Sequence, residues 1–154
     1  MNKKFWKNKK VFITGHNGFK GSWLSIWLTE LGAKVYGYSL NTNTEPSLFE
    51  TCFLDERVNS VTGDIRDYEK LKKTITSVEP DIVIHMAAQA LVLDSYENPI
   101  ETYQTNLMGT INILEILKKI KKKCSVVLIT SDKCYSNKEW LWGYREIDEL
   151  GGID

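Results

Sequence analysis

Two periodicities take turns along this chain. Residues 11–14 form a β-branched and aromatic run, and Trp23, Leu24, Ile26, Trp27, Leu28 and Leu31 then recur at helical spacing. The pattern predicts a strand, a helix closed by Gly32 at its C-terminal cap, and a second strand over residues 34–40. Residues 41–46 are polar and turn-rich, 47–53 suit a short helix, and 57–62 read as a third strand ending at Gly63-Asp64. Asp67 is placed to cap a helix over 68–77, which stops before Pro80. Residues 81–86 are almost continuously apolar, as in a strand covered on both faces of a parallel sheet. A long helix over 99–120 starts with Pro99 in its first turn and carries Leu107, Ile111, Leu114 and Leu117 along one stripe. Ile113, Ile116 and Ile120 form a second apolar face on it, and 125–130 make a fifth strand. Five strands separated by helices specify an α/β fold with a doubly wound parallel sheet. Residues 150–154 are loop-like, so the expectation is one incomplete domain over 1–154, truncated after about the fifth strand.

Composition narrows the class. Across 154 residues, 42% are hydrophobic and 26% charged, which suits a soluble domain with a filled core. Twenty basic residues balance twenty acidic ones, so no net field recruits nucleic acid or an anionic membrane. The lysines within 118–123 fall where cations suit a helix C-terminus. Cys52, Cys124 and Cys134 form no C-x-x-C pair, and His16 and His85 show no metal-ligand spacing. The basic start lacks an apolar signal region and no stretch is long and apolar enough to span a bilayer, so a cytoplasmic location is expected.

The chemistry concentrates where apolar runs end. Gly15, Gly18 and Gly21 follow the first strand at G-x-x-G-x-x-G spacing and open the helix, the context of a dinucleotide-binding turn. Asn17, Phe19 and Lys20 lie within the same turn, and the helix N-terminus offers free N–H groups to a pyrophosphate. An acidic residue is expected roughly 20 residues further on, for the ribose of NAD. It is missing: residues 38–41 read Tyr-Ser-Leu-Asn, so Ser39 or Asn41 is the candidate, and chemistry alone leaves NAD against NADP open. Asp64 and Ile65 after the third strand are candidates for the adenine, with a plain surface turn as the alternative. Ala87, Ala88 and Gln89 after the fourth strand suit a backbone passing close to the cofactor. Thr130-Ser131-Asp132-Lys133 ends the fifth strand with a hydroxyl, a carboxylate and an ammonium in succession. Such groups suit acid–base work, or simply begin a solvated loop.

These blocks, with residues 46–50 (Pro-Ser-Leu-Phe-Glu), 85–89 (His-Met-Ala-Ala-Gln) and 105–110 (Thr-Asn-Leu-Met-Gly-Thr), resemble the extended short-chain dehydrogenase/reductase superfamily. Within it the similarity is to the NAD-dependent epimerase/dehydratase family and its sugar-nucleotide 4,6-dehydratases. The Phe-Lys-Gly-Ser-Trp-Leu continuation of the glycine turn is among the more specific signals. The resemblance implies a Rossmann-type NAD-binding domain, a nucleotide-sugar substrate, and a lyase that oxidises C4, expels water across C5 and C6, and returns the hydride to C6. It implies cofactor contacts for the glycine turn and for Thr105. It further implies that Asp132 protonates the departing hydroxyl, Lys133 assists and Ser131 hydrogen-bonds the C4 oxygen. The Asp132-Lys133 pair, where dTDP-glucose enzymes carry Asp-Glu, implies a CDP-glucose substrate. A homodimer through helices including the one from Pro99 is also implied, for the full-length form.

Two departures stand out. The family's Tyr-x-x-x-Lys pair is expected beyond Asp154, and the spacing of Tyr68 with Lys72 sits on the wrong helix to replace it. Leu93 stands where an arginine is expected. The rival expectations are an epimerase or a dehydratase of another sugar nucleotide, and a non-catalytic dinucleotide-binding module.

Overall fold

The computed structural model describes residues 2–42, 44–131 and 133–151. The fold is a five-stranded parallel sheet with strands β1 (Lys10–Thr14), β2 (Lys34–Ser39), β3 (Asn59–Thr62), β4 (Ile82–His85) and β5 (Ser125–Leu128) in the order β3-β2-β1-β4-β5. Each expected strand is present: β1 gains Lys10, and the other four release one or two terminal residues to loops. The order reverses between β1 and β4, so the chain's crossovers leave a crevice at that point, outside the carboxyl ends of the strands.

Successive residues of β1 feed opposite layers. Val11 and Ile13, with Val35 and Ile84, pack under α2 (Phe19–Glu30) against Leu28. Phe12, with Tyr38 and Val83, meets Leu71 and Ile75 of α4 (Tyr68–Val78) and Ile113 and Ile116 of α7 (Gly109–Lys119). A strand buried on both faces must be apolar at every position, which is the signal that residues 81–86 carried. Asp67 caps α4 as expected, its carboxylate accepting from the Lys70 N–H at 3.1 Å. Ser47 likewise caps α3 (Leu48–Thr51), accepting from the Glu50 N–H at 3.2 Å.

The predicted helix over 99–120 is three pieces: α6 (Pro99–Tyr103), a π-turn over Gln104–Met108, and α7. Its buried stripe is Gly109, Ile113 and Ile116, while Leu107, Ile111 and Leu114 are exposed. Both stripes are apolar at helical spacing, so periodicity does not choose between them. Close approach does, because a Cβ on Gly109 would overlap the Ile65 side chain. Two short helices were not anticipated, α1 (Lys3–Trp6) and α5 (Val92–Glu97). Among the described residues no helix is long and apolar enough to cross a membrane, and no group of three or more His, Cys, Asp or Glu is placed to hold a metal ion.

Candidate functional site

The glycine turn occupies the crevice. Gly15 takes the left-handed conformation at φ +72° and lies against the chain after β4, where an added Cβ would stand 2.9 Å from the Ala87 nitrogen. Gly21 is buried, and a Cβ there would overlap the Gly15 carbonyl, so α2 can sit on the turn only without a side chain at this position. Gly18 is different. It is exposed at φ −68°, and a Cβ would make only an ordinary contact with the Gly15 oxygen, at 3.5 Å. The fold would accept a side chain here, so the glycine keeps open the space in front of the α2 N-terminus. No side chain caps that helix end, and its first N–H groups face the cleared space with the positive end of the dipole behind them. The turn therefore fits a pyrophosphate held by backbone dipoles.

Asn17 ties the turn to the end of β2, its amide donating to the Leu40 carbonyl at 2.6 Å. His16 makes a second tie. Its ring is 1% exposed, with Nδ1 3.0 Å from Ser39 Oγ and Nε2 2.7 Å from Ser60 Oγ. Burial pushes its pKa down to about 4, so the ring is neutral at pH 7, with one nitrogen donating and the other accepting. It meets the Phe49 ring in a T-shaped contact, and Gly37 leaves it room in β2. Ser39 is thus held in place at the strand end but is a neutral group.

A parallel network fixes the other side of the crevice. Thr14 Oγ1 accepts from the Met86 and Ala87 N–H groups, both at 3.1 Å, and must therefore donate to His85 Nδ1 at 2.6 Å. His85 Nε2–H then donates to Thr110 Oγ1, which passes its own proton to the Asn106 carbonyl. Burial holds the His85 pKa down to about 4 as well. Asn106, inside the π-turn, brackets Gln89 by accepting from its N–H at 2.8 Å and donating to its carbonyl at 2.9 Å. Residues 86–89 are thereby clamped beside Gly15.

The remaining candidates are less concentrated. Ala87 is half-buried against Gly15 and Ala88 is exposed, while the Gln89 amide is spent on Leu91 and Thr102. Asp64 sits after β3 with its carboxylate gripped by the Arg66 guanidinium, whose hydrogen bonds hold the carboxyl below its usual range. Ile65 is buried beneath α7, Thr105 is half-buried in the π-turn, and Phe19 and Lys20 are exposed on the first turn of α2. Ser131 is exposed after β5, its hydroxyl accepting from the Lys133 N–H at 3.0 Å. Asp132 lies outside the described residues. The structure thus brings together the ends of β1, β2 and β4. Sequence reasoning missed His16, Thr14 and His85, and the signal available was a polar residue at the end of each otherwise apolar run.

A family model described as GDP-mannose 4,6 dehydratase matches residues 12–141. CDP-glucose 4,6-dehydratase of Salmonella typhimurium is 58% identical over all of this chain and 43% of its own length, so the chain spans less than half of that relative. A solved UDP-glucose 4-epimerase from Brucella ovis in complex with NAD superimposes at TM-score 0.78 and 26% identity, over 94% of this chain and 42% of that one. The UDP-glucose-4-epimerase of Stenotrophomonas maltophila, with bound NAD and formylated UDP-arabinopyranose, reaches 0.80 at 23% identity, over 94% and 43%, a likeness of fold. Since the matched family model runs unbroken from β1 through the glycine turn, the clamped 86–89 segment and the end of β5, the chain belongs to the GDP-mannose 4,6 dehydratase family.

Proposed function

We propose that this chain is the NAD-binding part of a nucleotide-sugar 4,6-dehydratase acting on CDP-glucose. The observation that carries the reading is the 58% identity along the entire chain to the Salmonella CDP-glucose enzyme, together with a glycine turn cleared for a pyrophosphate. When bound, NAD supplies reversible hydride acceptance, which lets a hexose be oxidised at C4 and end with no net redox change. The chain's own part is to hold and orient. The N–H groups opening α2 face the pyrophosphate, and Gly15 and Ala87 bring two backbones together beneath it. Ser39 serves the adenosine ribose, while Asp64 and Ile65 border the adenine. Asn17, Phe19, Lys20, Gly21, Ala88, Gln89 and Thr105 frame the same crevice. Ser131 and Lys133 stand at the end of β5, where the hydroxyl would bond the C4 oxygen and the ammonium would assist departure of the C6 hydroxyl, with Asp132 as its proton source. The exposed apolar residues of α5 to α7, among them Tyr96, Ile100, Tyr103 and Leu107, suit burial in a homodimer, and the three free cysteines suit the cytoplasm.

Calorimetric titration of NAD into the protein and its Gly18→Asp variant tests the reading. Gly18→Asp places a carboxylate in the cleared space with little strain on the turn, so NAD binding is expected to vanish while thermal unfolding stays cooperative. Unchanged NAD affinity in the variant overturns it. Turnover of CDP-glucose to a 4-keto-6-deoxy product by a protein that carries this chain together with the family's Tyr-x-x-x-Lys pair, followed by the absorbance of the product, tests the substrate.

A further inference from the structure

The end of β2 poses an electrostatic question. A dinucleotide site that selects NAD usually presents a carboxylate there, which bonds the ribose hydroxyls and repels a 2'-phosphate. This chain presents Ser39, whose hydroxyl is bonded to the ring of a neutral buried histidine. Neither partner carries charge, so the strand end by itself does not discriminate between a hydroxyl and a phosphate.

A hollow of about 410 Å³ opens beside it. Asn17 from the glycine turn, Ser39 and Leu40 from the β2 end, Thr42, and the acidic pair Glu50 and Asp55 are among its walls. Among its described lining residues there is no lysine or arginine. The Glu50 carboxylate is not loose, because Thr42 Oγ1 donates to its Oε1 at 2.8 Å, latching α3 to the loop that leaves β2. Ser47, 2% exposed, fixes the start of α3 by accepting from the Glu50 N–H. Serine and glutamate three residues apart match the capping-box pattern, and the Ser47 bond to the Glu50 backbone with the Thr42 bond to its carboxylate sets Glu50 from two sides. A sphere of that volume is roughly 9 Å across, close to the Debye length of about 8 Å, so a phosphate anywhere in the hollow feels its acidic wall.

We propose that Glu50, latched by Thr42, keeps 2'-phosphorylated cofactor out of this hollow, so that the site takes a dinucleotide with a free 2'-hydroxyl. The proposal rests on the dinucleotide-binding reading and adds the residue that selects within it. A 2'-phosphate brings a charge of about −1.5 to −2, and the carboxylate it meets comes from the helix after β2 instead of from β2 itself. Ser39 then serves the ribose as a neutral hydroxyl whose orientation His16 sets.

The test is titration of the protein with NAD and, separately, with NADP, in the native sequence and in Glu50→Gln, Glu50→Lys and Thr42→Val. Glu50→Gln keeps a side chain that the capping box accepts. Its expected effect is a fall of about 3- to 10-fold in the ratio of the NADP to the NAD dissociation constant, the size set by one exposed charge facing a phosphate. Glu50→Lys lowers the ratio further, and Thr42→Val lowers it part of the way with the carboxylate still present. The ratio is decisive because a loss of folding weakens both affinities together. NAD binding with equally tight NADP binding in the native protein, or a ratio unmoved in both Glu50 variants, overturns the proposal and leaves dinucleotide binding standing. Binding of neither by protein shown to be folded overturns the dinucleotide reading, and the selection by Glu50 with it.

Discussion

Acidification from pH 7 to pH 5 should destabilise this fold steeply, and the two histidines set by how much. His16 is 1% and His85 3% exposed, and burial lowers each pKa from 6.5 to about 4. Below pH 6.5 the unfolded chain takes up protons that the folded chain refuses, so stability is highest above that pH and falls as pH drops toward 4. At pH 5 each unfolded imidazole is almost fully protonated and each folded one almost fully neutral, which costs about 2 kcal/mol per histidine and about 4 kcal/mol for both. The slope at that point corresponds to nearly two protons, or roughly 2 kcal/mol per pH unit. Asp64 and Asp81 do not blur this window. Arg66 and Lys122 hold their carboxyls below the ordinary 3.8, so their contribution is complete above that value and is lost only at lower pH. Urea unfolding followed by tryptophan fluorescence, at steps between pH 7.5 and 4.5, measures the slope directly. His85→Asn should remove about half of it at the cost of lower stability at pH 7. Uptake of fewer than about one proton on unfolding near pH 5 would refute the neutral, buried assignment of both rings.

Three further outcomes follow from packing. Gly37→Ala places a methyl group into the His16 ring, and overpacking of this kind costs about 1–3 kcal/mol, read as a lowered urea midpoint. Ile113→Ala removes a fully buried side chain from between α7 and the sheet, for about 2–5 kcal/mol, whereas Leu114→Ala, at 43% exposure, should change monomer stability by under about 1 kcal/mol. If the two alanine variants lose equal stability in dilute solution, the outward assignment of the Leu107, Ile111 and Leu114 stripe is wrong.

The strands and the glycine turn were legible because each is dictated locally. An apolar run without alternation has one stable setting, between two layers, and three glycines at that spacing after a strand leave few alternatives to a tight turn under a helix. Asp67 was legible as a cap for the same reason, since its bond to Lys70 spans three residues. The face of α7 was not. Its choice depends on Ile65, 44 residues before Gly109, meeting a position that has no Cβ. The π-turn was equally hidden, since Asn106 opens the helix geometry where it brackets Gln89, a partner from another element. His16 and His85 read as isolated histidines because their partners, Ser60 and Thr110, lie 44 and 25 residues away in sequence. What the sequence did display was their setting, a polar side chain placed where an apolar strand gives out.

That placement explains how the crevice between β1 and β4 is held in shape. A polar group buried at a strand end costs free energy unless every donor and acceptor is met, and the Thr14, His85, Thr110 and Asn106 chain meets them in one direction without a break. His16 does the same for the turn, with a serine on each ring nitrogen. Both networks use neutral groups, so they hold backbone in place without adding a charge of their own beside an anion. A ligand entering the crevice meets N–H groups already ordered, and little of its binding energy goes to ordering them. The end of β5 is more exposed. Val126, Val127 and Ile129 are 38% to 49% exposed, and the Ser131 hydroxyl accepts from the N–H of Lys133, its near neighbour in sequence. The flank of β5 is thus open to further packing, while the crevice between β1 and β4 is lined by backbone that these networks hold in place.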